Sequence, residues 1–313
     1  MTGHGTFQYM RLRTAAAIMR TLAAGFQGHL RAIPADSNSE SLQIPSRDAG
    51  RTIEARLYRP GEKGSPEPDA PLPVLINWHG GGFTMPNLGL DHEFLTRVAQ
   101  ENSMLVLDAD YRKGPEYPFP AAIHDAEDVM RYVDGRPEQF DVTRVALSGG
   151  SSGGVVALVA ASSLRARFDT LHVRSVVLFY PGTDLAEPPE DKVVPHPIKA
   201  MPPKLLHMFY DNYVPDAAMR KDPLVSPRFA HPALFPASVV IFTASGDVLA
   251  PEGNELARVL DDGTRRVTHM ELEDAPHGYD KGPAEGSHLW GLKERSYGIA
   301  VKELARALSI QQE

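Results

Sequence analysis

The feature that most limits what this chain can fold into is a serine set among glycines, Gly149-Gly150-Ser151-Ser152-Gly153, between two apolar segments of different character. Before it, Arg144-Val145-Ala146-Leu147 reads as a strand, and after it Val155-Val156-Ala157-Leu158-Val159-Ala160 reads as an apolar helix. A strand-to-helix turn this tight strains the serine and leaves its hydroxyl exposed, while the glycines supply the room. The G-x-S-x-G pattern alone is cheap. Its strand-turn-helix setting is what sets it above a plain glycine turn and marks Ser151 as a nucleophile at the carboxyl edge of a sheet.

The rest of the chain fits such a sheet. Ser41 to Ile44 and Thr52 to Tyr58 are short β-prone runs around Arg47-Asp48-Ala49-Gly50 and predict an antiparallel pair. Six further strands are expected at Val74 to Asn77, Leu105 to Asp108, Arg144 to Leu147, Val176 to Tyr180, Val239 to Thr243 and Thr268 to Leu272. Helical stretches alternate with them: His92 to Glu101, Ala122 to Asp134, Ser152 to Leu164, Glu252 to Leu260 and Leu289 to Leu308. That alternation implies a mostly parallel sheet with helices on both faces. Residues 60 to 73, rich in proline, glycine and charge, read as a surface loop. Residues 185 to 230 break the rhythm with prolines around one helix-like stretch, Pro203 to Tyr213, and read as an insert above the sheet. Residues 6 to 28 read as an amphipathic helix, with Phe7, Met10, Ala15, Ile18, Met19, Leu22, Ala23 and Phe26 on its apolar face. It needs a partner surface.

A second glycine run closes another expected strand: Leu75-Ile76-Asn77-Trp78 leads into His79-Gly80-Gly81-Gly82-Phe83. A developing oxyanion needs backbone N–H groups aimed inward, and only residues without side chains let the backbone come so close. Gly81 and Gly82, with the N–H of Ser152, are the expected donors. A flexible linker would be flanked by polar residues; this run is flanked by apolar ones.

A nucleophilic serine needs a base and an orienting acid. Val239-Val240-Ile241-Phe242-Thr243 ends at Ala244-Ser245-Gly246-Asp247, which places Asp247 on a carboxyl-edge loop. Met270-Glu271-Leu272 leads to Ala275-Pro276-His277-Gly278, which presents His277 after the last strand. Among 12 histidines the rival is His79, which sits inside the glycine loop and is better placed to anchor it. Asp274 and Asp280 lie within three residues of His277, too near in sequence to reach its distal ring nitrogen while the ring faces Ser151. His124, Asp125, Glu127 and Asp128 combine imidazole and carboxylates, yet on a helix their spacing predicts a solvated face and no metal site.

Composition narrows the field. With 42% hydrophobic and 23% charged residues in 313, the chain can bury a sizeable core. A net charge of -8 offers no broad positive field for nucleic acid or an anionic lipid surface. The absence of cysteine removes thiol nucleophiles and thiolate metal ligands and fits a reducing, cytoplasmic compartment. No run approaches the roughly 20 apolar residues of a membrane span, and Ala15 to Met19, bounded by Arg13 and Arg20, is no secretory signal. Four arginines and no acid in the first 35 residues leave a mitochondrial transit peptide as the minor alternative.

With these motifs in view, the chain resembles the hormone-sensitive lipase branch of the α/β hydrolases, which carries His-Gly-Gly-Gly and Gly-Asp-Ser-Ala-Gly-Gly motifs. Asp110-Tyr111-Arg112 with Pro115-Glu116-Tyr117-Pro118 is similar to that branch's Asp-Tyr-Arg-Leu-Ala-Pro-Glu segment, and Tyr180-Pro181 and Ser226-Pro227 also match. The likeness runs from about Val74 to the C-terminus. Gly150 and Ser152 replace the usual Asp and Ala, and Lys113-Gly114 replaces Leu-Ala, which touches no triad member. The segment Pro45 to Arg51 resembles fungal members of the branch.

The resemblance implies one α/β-hydrolase domain over residues 1–313. It would have a mostly parallel, eight-stranded twisted sheet, helices on both faces, and an α-helical cap formed by about 1–38 and about 185–230. It implies a carboxylesterase that needs no cofactor or metal, cleaving a small-molecule ester with Ser151, Asp247 and His277 and an oxyanion hole of Gly81, Gly82 and Ser152. Phe83, Met10, Leu205, Met208 and Phe209 are expected to line the substrate pocket. A lyase, cyclase or lactonase acting on a polyketide-like metabolite in the same pocket is the alternative, and a non-catalytic receptor, which predicts a broken triad, is a third. A homodimer is compatible with all of these.

Overall fold

A computed structural model describes residues 5–27, 38–61 and 70–309. Strands β1 (Ser39–Pro45) and β2 (Thr52–Tyr58) form the expected antiparallel pair, with Ile44 opposite Ile53. Six more strands follow: β3 (Leu72–Trp78), β4 (Leu105–Ala109), β5 (Phe140–Gly150), β6 (Val173–Phe179), β7 (Ser238–Ala244) and β8 (Arg266–Leu272). The sheet has eight strands in the order β1-β2-β4-β3-β5-β6-β7-β8. β2 runs antiparallel to β4, and every pairing from β4 to β8 is parallel.

Parallel strands covered on both faces read as unbroken apolar runs, and all seven positions of β7 are buried. The period-2 alternation then divides the core. Val74, Ile76, Val176, Leu178, Val239 and Ile241 face one apolar cluster, and Leu75, Val177, Phe179, Val240 and Phe242 face the other. Helices α3 (Ala121–Asp134), α4 (Ser152–Val159) and α6 (Ala250–Leu260) cover the first face; α2 (His92–Asn102) and α7 (His288–Leu308) cover the second.

Three expectations change in detail. The helix after Ser151 is α-helical only to Val159 and continues as a π-helical turn, Ala160–Leu164. Tyr180 leaves β6, because its backbone turns to φ 38°. Asp125, Glu127 and Asp128 are not a solvated face: each is buried and held by arginines, Asp125 by Arg51 and Arg112, Glu127 by Arg47, Arg131 and Arg167, Asp128 by Arg47. Helical spacing shows which residues share a face, and which face is covered depends on β1, β2 and the arginines they bring.

The N-terminal helix α1 (Thr6–Gln27) forms, and it packs against α5 (Pro203–Tyr213) of the insert above the sheet. It buries Leu12 and Ala16, and leaves Phe7, Met10, Ile18 and Leu22 exposed. Arg20 fixes it to the body: Nε donates to Thr84 O at 2.9 Å, Nη2 to Gly114 O at 2.8 Å, and the guanidinium pairs with Glu116. Residues 62–69 of the expected surface loop, 28–37 of the first cap segment and the side chain of Phe26 lie outside what is described.

Candidate active site

The chemistry gathers at the carboxyl edge of the sheet, where β5 ends and α4 begins. Ser151 takes φ 52° and ψ -123°, a conformation that costs a non-glycine residue energy and turns its side chain out of the strand-helix turn. Gly153 permits the close packing beneath: a Cβ there would lie 1.9 Å from Trp78 O. The strain at Ser151 is held by α4 seated against β3.

Loops after β7 and β8 bring the two partners. His277 Nδ1 lies 2.6 Å from Asp247 Oδ2, and His277 Nε2 lies 2.9 Å from Ser151 Oγ. A carboxylate oxygen only accepts, so Nδ1 carries the hydrogen and Nε2 is left to accept from the Ser151 hydroxyl. Asp247 is 1% exposed and takes a second bond from the Leu249 N–H, which fixes its other oxygen. Tyr180 packs its ring edge-on against His277 with centroids 4.7 Å apart and donates its hydroxyl to Asp280 at 2.6 Å. Burial, and then Asp280, push the Tyr180 phenol well above its usual range. Asp280 is therefore engaged by tyrosines rather than by His277, and Asp274 meets Ser245 through its backbone.

The glycine loop turns back over Ser151. Gly81, Gly82 and Phe83 have positive φ, and the N–H groups of Thr84 and Met85 both donate to Gly81 O. His79 braces this loop from behind, with Nδ1 2.7 Å from Gly80 O and Nε2 2.8 Å from Asp110 Oδ1. Burial would raise the Asp110 carboxyl, but the hydrogen bond to His79 and the charge of Lys113 outweigh it and hold the group below the usual carboxylate range. Ser152 opens α4, and the first N–H groups of a helix have no partner within it. Gly81, Gly82 and Ser152 all line the space in front of Ser151.

That space has two parts. The larger, about 320 Å³, is lined by Ser151, His277, Gly81, Met19, Leu205 and Phe209 among others. The smaller, about 40 Å³ and almost wholly apolar, is lined by Ser151, Ser152, Phe83, Val155, Leu206 and Phe209 among others. Phe209, Met201 and Gly82 border both. A groove of about 430 Å³ elsewhere contains none of the three triad residues, and its Arg51, Arg112 and Lys113 are paired with Asp48, Asp110 and Asp125.

The expected pocket residues divide accordingly. Phe83, Leu205 and Phe209 line the site. Met10, 54% exposed, and Met208, half-buried, do not border either part. On α1 the residues that do are Met19 and Ala23, one turn apart and more than two turns beyond Met10. The sequence reading also missed Met85, Asn87, Tyr180, Met201 and Lys281. Tyr180 carried a signal, its place beside Pro181 at the end of β6; the others are brought in only by the folding of the cap and the glycine loop. No group of histidine and carboxylates suited to a metal ion occurs among the described residues.

A half-buried serine on a strained elbow, an imidazole between it and a buried carboxylate, and a glycine loop above them define a serine hydrolase geometry on a mostly parallel sheet. The family described as alpha/beta hydrolase fold matches residues 75–281, and the chain belongs to it. Ethyl acetate hydrolase of Pseudomonas putida is 31% identical over 244 residues, covering 76% of this chain and 74% of that protein. Carboxylic ester hydrolase LipN of Mycobacterium tuberculosis is 30% identical over 246 residues, covering 76% and 63%. In fold, the chain matches the thermostable carboxylesterase EstE1 from a metagenomic library (TM-score 0.77, 23% identity, 94% of this chain and 98% of that one). It also matches a thermostable esterase from Pseudomonas putida (TM-score 0.79, 24% identity, 95% and 91%). The chain is a carboxylic ester hydrolase.

Proposed function

We propose that Ser151 is the nucleophile, His277 the general base and Asp247 the orienting acid of this ester hydrolase, acting through an acyl-enzyme. The observation that carries this reading is the pair of contacts on one imidazole, 2.6 Å to Asp247 and 2.9 Å to Ser151. In the first half-reaction Ser151 Oγ bonds to the ester carbonyl carbon and its proton passes to His277 Nε2. The negative charge on the carbonyl oxygen is met by the N–H groups of Gly81, Gly82 and Ser152. The carbon-oxygen bond to the alcohol then breaks, and the leaving oxygen takes the proton from Nε2. Water repeats the sequence, its proton going to His277 and its oxygen to the acyl carbon, and Ser151 leaves protonated. The imidazolium formed at each attack is stabilised by buried Asp247.

The His79-to-Gly82 loop, the serine elbow and Asp110-Tyr111-Arg112 support membership of the hormone-sensitive lipase-like branch, with α1 and the 185–230 insert forming its cap over one 1–313 domain. No described helix is long and apolar enough to cross a membrane.

The test is hydrolysis of p-nitrophenyl acetate by the wild type and by Ser151→Ala, with mass spectrometry after phenylmethylsulfonyl fluoride. Loss of turnover in the variant and a single adduct on Ser151 are expected. Equal turnover in both proteins, or an adduct elsewhere, refutes the assignment of Ser151 as the nucleophile.

A further inference from the structure

The two parts of the site are not equivalent with respect to the proton. In the mechanism above the leaving oxygen must reach His277 Nε2, so the alcohol of the ester occupies the larger part, which His277 lines. The acyl chain is left the small apolar part of about 40 Å³. Gly182, Leu185, Met201 and Leu249 in its wall come from the segment after β6, from the insert and from the residue that opens α6. What joins those stretches lies behind the wall and has no role in the mechanism.

There a lysine and a glutamate are buried together, the side chain of Lys192 1% exposed and that of Glu252 2%. Lys192 Nζ donates to Glu252 Oε2, to Asp184 O at 2.9 Å and to Glu187 Oε2 at 3.2 Å, which uses all three hydrogens of the ammonium. Glu252 Oε1 accepts the Thr183 N–H at 2.7 Å, and Glu252 O accepts the Thr183 hydroxyl at 3.2 Å. One ion pair thus ties α6 to residues 183 and 184 and to the insert. Its carboxylate stands close behind the wall: a Cβ on Gly182 would lie 3.6 Å from Glu252 Oε1, 3.6 Å from Val155 Cγ2 and 4.0 Å from Leu249 Cδ1. Val155 and Leu249 line the small part together with Gly182. Beyond Lys192 the insert crosses the loop of Asp247, where the Ile198 N–H donates to Gly246 O at 2.9 Å, and then reaches Met201.

Resting on the acyl-enzyme reading, we propose that Lys192 and Glu252 are positioning residues for acyl length: by fixing residues 182–185, the insert and the start of α6 relative to one another, they keep the small part of the site closed to long acyl chains. Packed apolar residues often replace a buried ion pair without loss of stability, so what this pair contributes is direction. Each Glu252 oxygen is assigned to its own donor, and the three stretches of wall cannot slide apart without breaking a charged hydrogen bond. An apolar contact in the same place would tolerate that sliding, and the small part would widen.

The experiment measures kcat/KM for p-nitrophenyl acetate, butyrate and octanoate at pH 8, above the value of about 7 to which burial raises the Glu252 carboxyl against the pull of Lys192. In Glu252→Gln one amide oxygen replaces two carboxylate oxygens, so the bond to Thr183 or the bond to Lys192 is kept, and not both. The octanoate-to-acetate ratio is expected to rise by about tenfold over the wild type, chiefly through a lower KM for octanoate. Lys192→Met should raise it too; because that variant leaves a carboxyl buried without its cation and could fail to fold, the isosteric Glu252→Gln decides. Glu127→Gln breaks ion pairs on α3 and lines neither part of the site, so it controls for lost stability, and its ratio should stay at the wild-type value. A wild-type ratio in Glu252→Gln, whatever its thermal stability, would overturn the proposal, and so would an equal rise in Glu127→Gln. A wild type that cleaves none of these esters would instead overturn the acyl-enzyme reading.

Discussion

Gly82 and Phe209 are in direct contact: a Cβ on Gly82 would fall 2.4 Å from the Phe209 ring. The backbone of the glycine loop is therefore packed against α5 of the insert, and the loop keeps its shape only if residue 82 has no side chain. Gly82 also has φ 58°, which an alanine adopts at a cost. Gly82→Ala is expected to lower kcat/KM for p-nitrophenyl acetate by about a hundredfold, the cost of displacing one of the proposed oxyanion donors. Phe209→Ala in the same chain should restore part of it. A double-mutant cycle that came out additive would show that the two residues do not press on each other.

In the proposed mechanism the leaving oxygen must reach His277, which borders only the larger part, so the acyl chain is left the smaller part and its length follows from that volume. That volume, about 40 Å³, accommodates about three water-sized groups. Acetate, propionate and butyrate esters should be the preferred p-nitrophenyl substrates, with octanoate at least about tenfold poorer in kcat/KM. Met201 borders both parts, so Met201→Ala should move the optimum to longer chains. A wild type that prefers decanoate would place the acyl group on the other side.

Asp247 bonds to His277 through one oxygen and to the Leu249 N–H through the other, and its proposed part in turnover is to orient the imidazole. Asp247→Asn keeps the shape but supplies a group that can hold the wrong tautomer, and kcat should fall by about 10⁴ with little change in KM. Burst-phase kinetics would distinguish this from lost binding: a KM rise with kcat intact is incompatible with an orienting role.

Arg20 ties α1 to Thr84, Gly114 and Glu116, and the neighbouring Met19 and Ala23 line the site. Arg20→Met should loosen this wall without touching the triad. KM for esters of bulky alcohols should rise several-fold while kcat for p-nitrophenyl acetate is retained. Equal losses of kcat for small and large esters would mean that α1 also positions the glycine loop.

Glu127 provides a test in pH. Burial would raise its carboxyl, but hydrogen bonds and charge from Arg131, Arg47 and Arg167 lower it to about 2. An unfolded glutamate titrates near about 4.3. A depressed folded-state value means that this stabilisation is complete above that pH and is lost as pH falls toward 2. Since the arginines are part-exposed, the contribution is about 1–2 kcal/mol after screening. Urea unfolding at pH 5 and pH 3 should show a smaller pH dependence in Glu127→Gln than in the wild type.

The sequence by itself determined the sheet and the order of its chemistry. The inner parallel strands end as apolar runs buried on both faces, which is legible one segment at a time, and Ser151 and Asp247 follow such runs, while His277 follows the edge strand β8, of which only Leu272 is buried. A residue placed just past the carboxyl end of a strand is delivered to one edge of the sheet whatever the loops do. What lies above that edge was decided only in three dimensions. Met10 and Met19 are both apolar residues on α1, and nothing in helical spacing says which one faces the serine; the Arg20 contacts to Thr84, Gly114 and Glu116 settle the rotation of the helix. Asp91 and Lys281 lie 190 residues apart in the chain and pair in the wall of the site, and their charges acquire meaning only beside one another. Periodicity reports the burial of a face, whereas the shape and polarity of a pocket depend on which faces meet.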